Sequence, residues 1–255
     1  MMEFFGFDLY ALLPFIAIGF VAQLIDGAIG MAFGVITNTL LVSMLGVAPA
    51  TASARVHLVE MFTTAASGIS HILHKNVDWR LFSRLALPGI GGAVMGAYVL
   101  TSIDASIAKP FVMAYLSCIG VYLLYKAWGY AHQPREPRFI APLGFVGGFL
   151  DAAGGGGWGP IVTSNLLIQG SSPRTTIGTV NTTEFFLTVA ASVVFISKLG
   201  WEAFSLATFG LLIGGMAAAP LAAFVTRHIQ PQRLLLVVGI VLTATSLFSL
   251  YKSLS

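Results

Sequence analysis

Gly19-Phe-Val-Ala-Gln-Leu-Ile-Asp26 and Gly144-Phe-Val-Gly-Gly-Phe-Leu-Asp151 are two versions of one motif, set at an offset of 125 in the chain. At the same offset Gly30 and Gly34 fall on Gly155 and Gly159. After a one-residue adjustment the match resumes: Pro49, Thr51, Val56, Glu60, Phe62 and Thr64 correspond to Pro173, Thr175, Val180, Glu184, Phe186 and Thr188. Trp79 then falls on Trp201, and Gly91-Gly92 on Gly214-Gly215. Matched polar and glycine positions do not follow from shared hydrophobicity, so the chain reads as a duplicated unit. The polar, proline-containing stretch 129–138 lies between the copies. Residues 1–128 are thus the first repeat, 129–138 a linker, and 139–255 the second repeat.

What surrounds the motif fixes the solvent. Of 255 residues, 56% are hydrophobic and only 9% charged, and the mean hydropathy is +0.87. About a quarter of the residues of an ordinary soluble domain are charged, so this composition points to a polytopic membrane protein and away from a water-soluble enzyme. A net charge of +3 is too small and too dispersed for nucleic-acid binding. Cys118 is the single cysteine and cannot form an internal disulfide. The first charges are Glu3 and Asp8, unlike the basic start of a cleaved signal peptide, so the first hydrophobic segment is expected to be retained.

A helix needs about 20 apolar residues to cross a ~30 Å hydrocarbon core. Stretches of that kind occur at 49–74, 79–101, 105–128, 173–198, 201–225 and 231–252. Two more, 9–46 and 139–170, are too long for one span and are interrupted by glycines around Asp26 and Asp151. Each reads as two short helices joined by a break. If each broken stretch returns to its own side, every half crosses an odd number of times and the second half is inverted. One side then carries Lys75, Arg80, Arg84, Lys126, Arg135, Arg138, Arg174, Arg227 and Arg233, and the other Lys109, Lys198 and Lys252. A single crossing by each stretch gives a weaker bias. The positive-inside rule therefore predicts an all-α protein of two inverted repeats, each a broken or re-entrant glycine-rich helix pair plus three transmembrane helices. The linker is expected in the cytoplasm and both termini outside it.

Ionisable groups within spans are costly and point to function. They are Asp26, Arg55, His57, Glu60, Asp151 and Glu184, with His71 near a helix end. Ser53, His57, Glu60, Thr64, Ser67 and His71 recur at spacings of four and three, which puts them on one helix face. Asn181, Glu184 and Thr188 keep the same spacing in the second half. Such stripes act as interhelical glue or line a polar path, and carboxylates are a costly choice for glue. Arg55 reads either as a structural or interfacial cation or as a fixed positive charge for an anion. His57 is open between packing, proton relay and substrate donor.

Non-helical backbone at membrane depth survives only inside protein or against a water-filled cavity. Two such breaks at equivalent positions point to a central substrate site. Half-helices starting near Gly30 and Gly155 would aim free N–H groups at an anion, while Asp26 and Asp151 cap those amides, bind a coupling cation, or titrate. Gly154-Gly-Gly-Gly157 is not followed by Gly-Lys-Ser/Thr, which excludes a Walker ATP site. Ser70-His71 is the one tempting hydrolase pair, but helix neighbours do not face each other.

The first motif through Gly34 with Pro49-Ala-Thr-Ala-Ser-Ala, and the second through Gly-Gly-Gly-Trp-Gly-Pro160, resemble the TauE/SafE sulfite-exporter family over essentially the whole chain. The resemblance implies a secondary transporter, not an enzyme, in a bacterial-type plasma (inner) membrane, moving sulfur-containing anions such as sulfite or sulfonates. On that reading a small anion is bound by Arg55, Ser53, His57, Gly30, Gly155, Gly156, Thr179 and Asn181. Glu60 and Glu184, with Asp26 and Asp151, serve coupling or gating in a proton-linked, alternating-access export. No metal or cofactor is expected, and the partners are the anion and the lipid bilayer, with homodimerisation left open. A cation-coupled carrier or a channel for another small anion, or uptake in place of export, is the alternative. Thr179 and Asn181 stand where the first half has Arg55 and His57, so the site is not strictly symmetric.

Overall fold

The computed structural model describes residues 3–4, 7–29, 31–128, 137–169, 171–201, 206–228 and 231–254. A two-residue antiparallel ladder, β1 (Glu3–Phe4) with β2 (Phe7–Asp8), precedes helix α1 (Leu9–Ile29). Then follow α2 (Phe33–Ser43), α3 (Pro49–Leu73), α4 (Trp79–Ser102) and α5 (Ala105–Ala127) in the first half. The second half holds α6 (Ile140–Gly154), a π-helical turn at Gly159–Thr163, α7 (Ser164–Ile168), α8 (Pro173–Leu199), α9 (Leu206–His228) and α10 (Pro231–Leu254).

Proline and aspartate set the helix starts. Pro49, Pro173 and Pro231 open α3, α8 and α10, where the missing N–H removes a donor that would have no helical acceptor. Asp78 accepts from the Arg80 and Leu81 N–H groups at 2.9 and 3.1 Å and so caps α4. Asp104 caps α5, accepting from the Ser106 N–H at 2.8 Å and its hydroxyl at 2.6 Å. Those bonds hold the Asp104 carboxyl below the usual carboxylate range.

Observed spans follow the hydropathy reading closely, and both long stretches are broken. The first break is narrower than the glycine pattern suggested. Asp26 and Gly27 remain in α1, which runs on to Ile29, because one glycine inside an apolar helix weakens it without ending it. Gln169 accepts at 2.5 Å from the N–H of Arg138, just before α6. Both ends of the second broken stretch therefore lie at the same end of the bundle.

Polarity is reversed relative to a soluble protein. Leu87, Phe111, Tyr125 and Phe248 are exposed, whereas Ser53, His57, Glu60, Thr64, Thr179 and Thr183 are buried. Among the described residues, α4, α5 and Thr175–Leu199 of α8 have the length and hydropathy to cross a membrane. The chain is an all-α polytopic membrane protein.

Helix pairs link the two halves: α1 runs along α9, α4 along α6, α5 along α10 and α3 along α8. Glycine makes the closest crossings. A Cβ on Gly92 of α4 would lie 2.0 Å from the Phe145 carbonyl oxygen of α6, and one on Gly148 would lie 2.2 Å from that of Gly89. Gly214 of α9 meets the Ile16 carbonyl of α1 in the same way, at 2.1 Å. Small residues let backbones touch where lipid supplies no hydrophobic drive for packing. Gly92→Ala forces α4 and α6 apart and is expected to cost about 1–3 kcal/mol. Gly91→Ala meets open space, so thermal unfolding in detergent should show a lower midpoint for the first variant and none of that loss for its neighbour.

Candidate functional site

The second break consists of three glycines in the left-handed half of backbone space. Gly155, Gly156 and Gly157 have φ of 73°, 129° and 153°, and a side chain at any of them would be strained. Space excludes side chains as well. A Cβ would sit 2.2 Å from the Asn38 amide at Gly155, 2.4 Å from the Val35 nitrogen at Gly156, and 2.0 Å from the Tyr115 hydroxyl at Gly157. The freed carbonyls are taken up by first-half side chains. Asn38 Nδ2 donates to Gly154 O at 3.1 Å, the Tyr115 hydroxyl to Gly156 O at 3.1 Å, and the Ser53 hydroxyl to Ala152 O at 2.8 Å.

The two aspartates do the same work on the amide side. Asp26 Oδ1 accepts from the Phe33 N–H at 3.1 Å and Asp151 Oδ1 from the Trp158 N–H at 2.9 Å. Each carboxyl reaches seven residues ahead, across its break, to the first amide of the next half-helix, and the equivalence holds at the offset of the sequence repeat. At the position before α2, Ala32 carries φ of 106°, uncommon for a residue with a side chain. The two breaks touch: Gly156 packs on the backbone of Gly34 and Val35, and Glu60 Oε1 lies beside Gly34, whose N–H it accepts. Gly30 lies outside the described residues.

Helix α3 presents its polar face to the second break. His57 Nε2 lies 3.2 Å from Asp151 Oδ2, with both side chains buried. His57 Nδ1 lies 2.8 Å from the Ser53 carbonyl, which only accepts, so the network assigns a proton to Nδ1. The link from Nε2 to Asp151 then holds one proton, either as imidazolium with carboxylate or as imidazole with carboxylic acid. Asp151 thus ties three elements together: the end of α6, the start of the next half-helix, and α3.

The remaining sequence candidates are more dispersed. Glu60 is buried and its Oε2 has no hydrogen-bond partner among the described residues. Its charge interacts with those of Glu184, Asp151 and Asp26, so the four carboxyls form one electrostatic group. Arg55 is half-buried and two residues from both Ser53 and His57, across the helix from the face they share. Thr179 accepts at 2.9 Å from the Asp78 N–H at the α3–α4 turn, and Asn181 Nδ2 donates at 3.0 Å to the Ser67 hydroxyl. The structure brings Ser53, His57, Glu60, Asp151, Gly155 and Gly156 around the breaks, and places Thr179 against the α3–α4 turn and Asn181 on the α3–α8 contact.

Four further residues complete the centre. Asn38 and Tyr115 close carbonyls of the second break, and Trp158, fully buried, donates from Nε1 to the Val180 carbonyl at 3.2 Å. Lys126 turns inward, donating from Nζ to the buried Ser164 hydroxyl at 2.6 Å with Met31 Sδ 3.8 Å away. The signal was present in α5: Tyr115, Ile119, Tyr122 and Lys126 are spaced four, three and four and share a face.

Known proteins place this architecture. The family described as Sulfite exporter TauE/SafE matches the chain over residues 15–249. The chain belongs to the TauE/SafE family. It is also 45% identical over 237 residues to a Bacillus subtilis (strain 168) protein named "Probable membrane transporter protein YtnM", covering 89% of this chain and 79% of that protein. No solved structure matches the chain. Family and relative together make this a membrane transporter protein.

Asp151 distinguishes charge from geometry. Asp151→Ala leaves the Trp158 N–H and the His57 Nε2 without partners, and each buried group so stranded costs about 1–3 kcal/mol. Asp151→Asn keeps an acceptor for Trp158 and offers an N–H to neutral His57. Unfolding midpoints should fall strongly for the alanine variant and little for the asparagine variant; equal losses would show that the ionised carboxylate itself is required.

Proposed function

We propose that the protein exports a small sulfur-containing anion, sulfite or an organosulfonate, across the plasma membrane by proton-coupled alternating access. The observation that carries this is the meeting of two broken helices at the centre of the bundle, Gly156 against Gly34, each with a half-helix start held by an aspartate across its break. Such paired breaks suit a site that two halves open alternately to either side. The sulfur-containing cargo is carried over from the name of the family.

Acidic groups around the breaks bear on the coupling. Both half-helix starts already face carboxyls: Asp26 on Phe33, Asp151 on Trp158, and Glu60 on Gly34. An anion approaching these amides meets like charge unless some carboxyls are protonated, so binding of anion and proton are linked. Glu60 Oε2 is buried with no hydrogen-bond partner among the described residues, and an isolated charged oxygen is costly to bury. Ala152, Gly154 and Gly156 carbonyls each receive a side-chain donor, leaving them poorly placed to ligate a sodium ion, which favours protons over a cation-coupled carrier. The candidates for the anion are Arg55, Ser53, His57, Thr179 and Asn181 with the backbone at Gly155 and Gly156; Ser53 and Asn181 would exchange their present acceptors, Ala152 O and Ser67, for the anion. Glu184 joins Glu60 as the second coupling or gating carboxyl.

The return of the second broken stretch supports three full crossings per half, two inverted membrane repeats, and a cytoplasmic linker at 129–138. A cysteine placed in that linker and labelled from outside intact cells would overturn this topology.

Transport is tested in proteoliposomes with sulfite, sulfoacetate, taurine, thiosulfate and sulfate under an imposed pH gradient. One or more of the sulfur anions should move with the gradient and without sodium. Glu60→Gln and Glu184→Gln should each abolish gradient-driven accumulation while leaving anion binding in place. Unchanged accumulation in both variants removes the coupling role, and strict sodium dependence replaces the proton with a cation.

A further inference from the structure

Lys126 sits one residue before the end of α5, where a lysine ordinarily extends its ammonium toward the interface. It does the opposite. Its Nζ reaches 2.6 Å to the hydroxyl of Ser164, a residue with no exposed surface at the start of α7. Met31, in the first break, closes the other side, its Sδ 3.8 Å from both Nζ and the Ser164 hydroxyl. Tyr122, one turn earlier on the same face of α5, also hydrogen-bonds Ser164. Among the described residues no carboxylate lies within ion-pair distance of Lys126. A hydroxyl and a thioether solvate an ammonium poorly, and charge inside a membrane protein calls for a counter-ion.

The place of the cluster matters as much as its chemistry. Lys126 lies at the linker end of α5, while Met31 lies at the break of the stretch that begins at the N-terminal end of the chain. Ser164 follows the π-helical turn after the second break. Along α5 the same face continues to Tyr115, bonded to Gly156. One helix face therefore runs from an ammonium near the linker to the centre of the breaks, with tyrosine hydroxyls on the way.

We propose that Lys126, Ser164 and Tyr122 form an oxyanion-binding subsite on the linker-facing approach to the central breaks. It holds the anion by one charge and two hydroxyls before it passes along the α5 face. This rests on the anion-transport reading and adds a second binding position to it, one that carries no carboxyl of its own and so takes the anion without a proton. The shared chemistry is a small tetrahedral or pyramidal oxyanion, recognised by charge-assisted hydrogen bonds worth more than neutral ones.

The test uses the full-length protein in proteoliposomes, its orientation fixed by labelling a cysteine placed in the 129–138 linker, with sulfite as the probe. Lys126→Gln should raise the apparent KM for sulfite presented from the linker face about tenfold or more, and leave the KM from the opposite face unchanged. Lys126→Arg should recover most of the affinity. Ser164→Ala, which keeps the ammonium, should give a smaller, same-sided rise and guards against a variant that does not fold. An equal effect of Lys126→Gln from both faces, or none from either, overturns the subsite while wild-type transport stands. If the wild-type protein moves and binds no oxyanion, the transport reading and the subsite fall together.

Discussion

Lipid cannot hydrogen-bond a peptide group, and that constraint organises this molecule. A helix broken at membrane depth frees amides after the break and carbonyls before it, each costing several kcal/mol if left bare. Here the first amide after each break is answered, and so are carbonyls of the second break. Asp26 and Asp151 take the first amides of the following half-helices, and Ser53, Asn38 and Tyr115 take the carbonyls of the second break. The polar stripe of α3, the three-glycine run and the inward face of α5 are consequences of those obligations. Glycine at 155, 156 and 157 allows the backbone to be close enough for the bonds to form, and no other residue fits the space.

Much of this was legible in the chain. The duplication, the six continuous helices and the two broken stretches follow from hydropathy and the spacing of Pro, Gly and Asp. So does the grouping of Ser53, His57 and Glu60, because helical periodicity fixes which residues share a face whatever the tertiary contacts. Partners across the fold were not legible. Nothing in the spacing of α3 says that His57 meets Asp151 and not its own half's Asp26, since that depends on which repeat each helix packs against. Lys126 is the clearest case. By position it belongs to a helix end, where a lysine ordinarily reaches for the interface. Only the contact with Ser164 and Met31 shows that it faces inward. The face it shares with Tyr115 and Tyr122 has polar groups at its two ends and apolar Ile119 between, so the stripe is weaker than that of α3.

The symmetry of the sequence and the asymmetry of the structure are compatible for a physical reason. The aspartate-to-amide bond is local, spanning seven residues within one half, and it survives duplication unchanged. The bonds that close the second break come from the other half, and there the copies have diverged: Thr163 stands at the repeat position of Asn38, and Asn181 at that of His57. Asn181 is bonded to Ser67, on the contact between α3 and α8. Local necessity preserved one set of contacts, and contacts between halves were free to specialise.

That distribution bears on how the two halves hold together. Every described side-chain bond to the second break's carbonyls originates in residues 1–128, and so does the His57 link to Asp151, so the second broken stretch is held by the first half as by a clamp. Separating that stretch from the first half would break these bonds together. Each is worth about 1 kcal/mol net, so the clamp is a sum of several modest bonds and no single one of them dominates it. Asp151 is the residue at which the clamp and the break meet. Its Oδ2 takes the His57 contact between halves, while its Oδ1 takes the Trp158 amide across the break. Losing the His57 contact alone would therefore loosen the grip between halves without dismantling the break itself, because the amide that spans the break is held by the other oxygen.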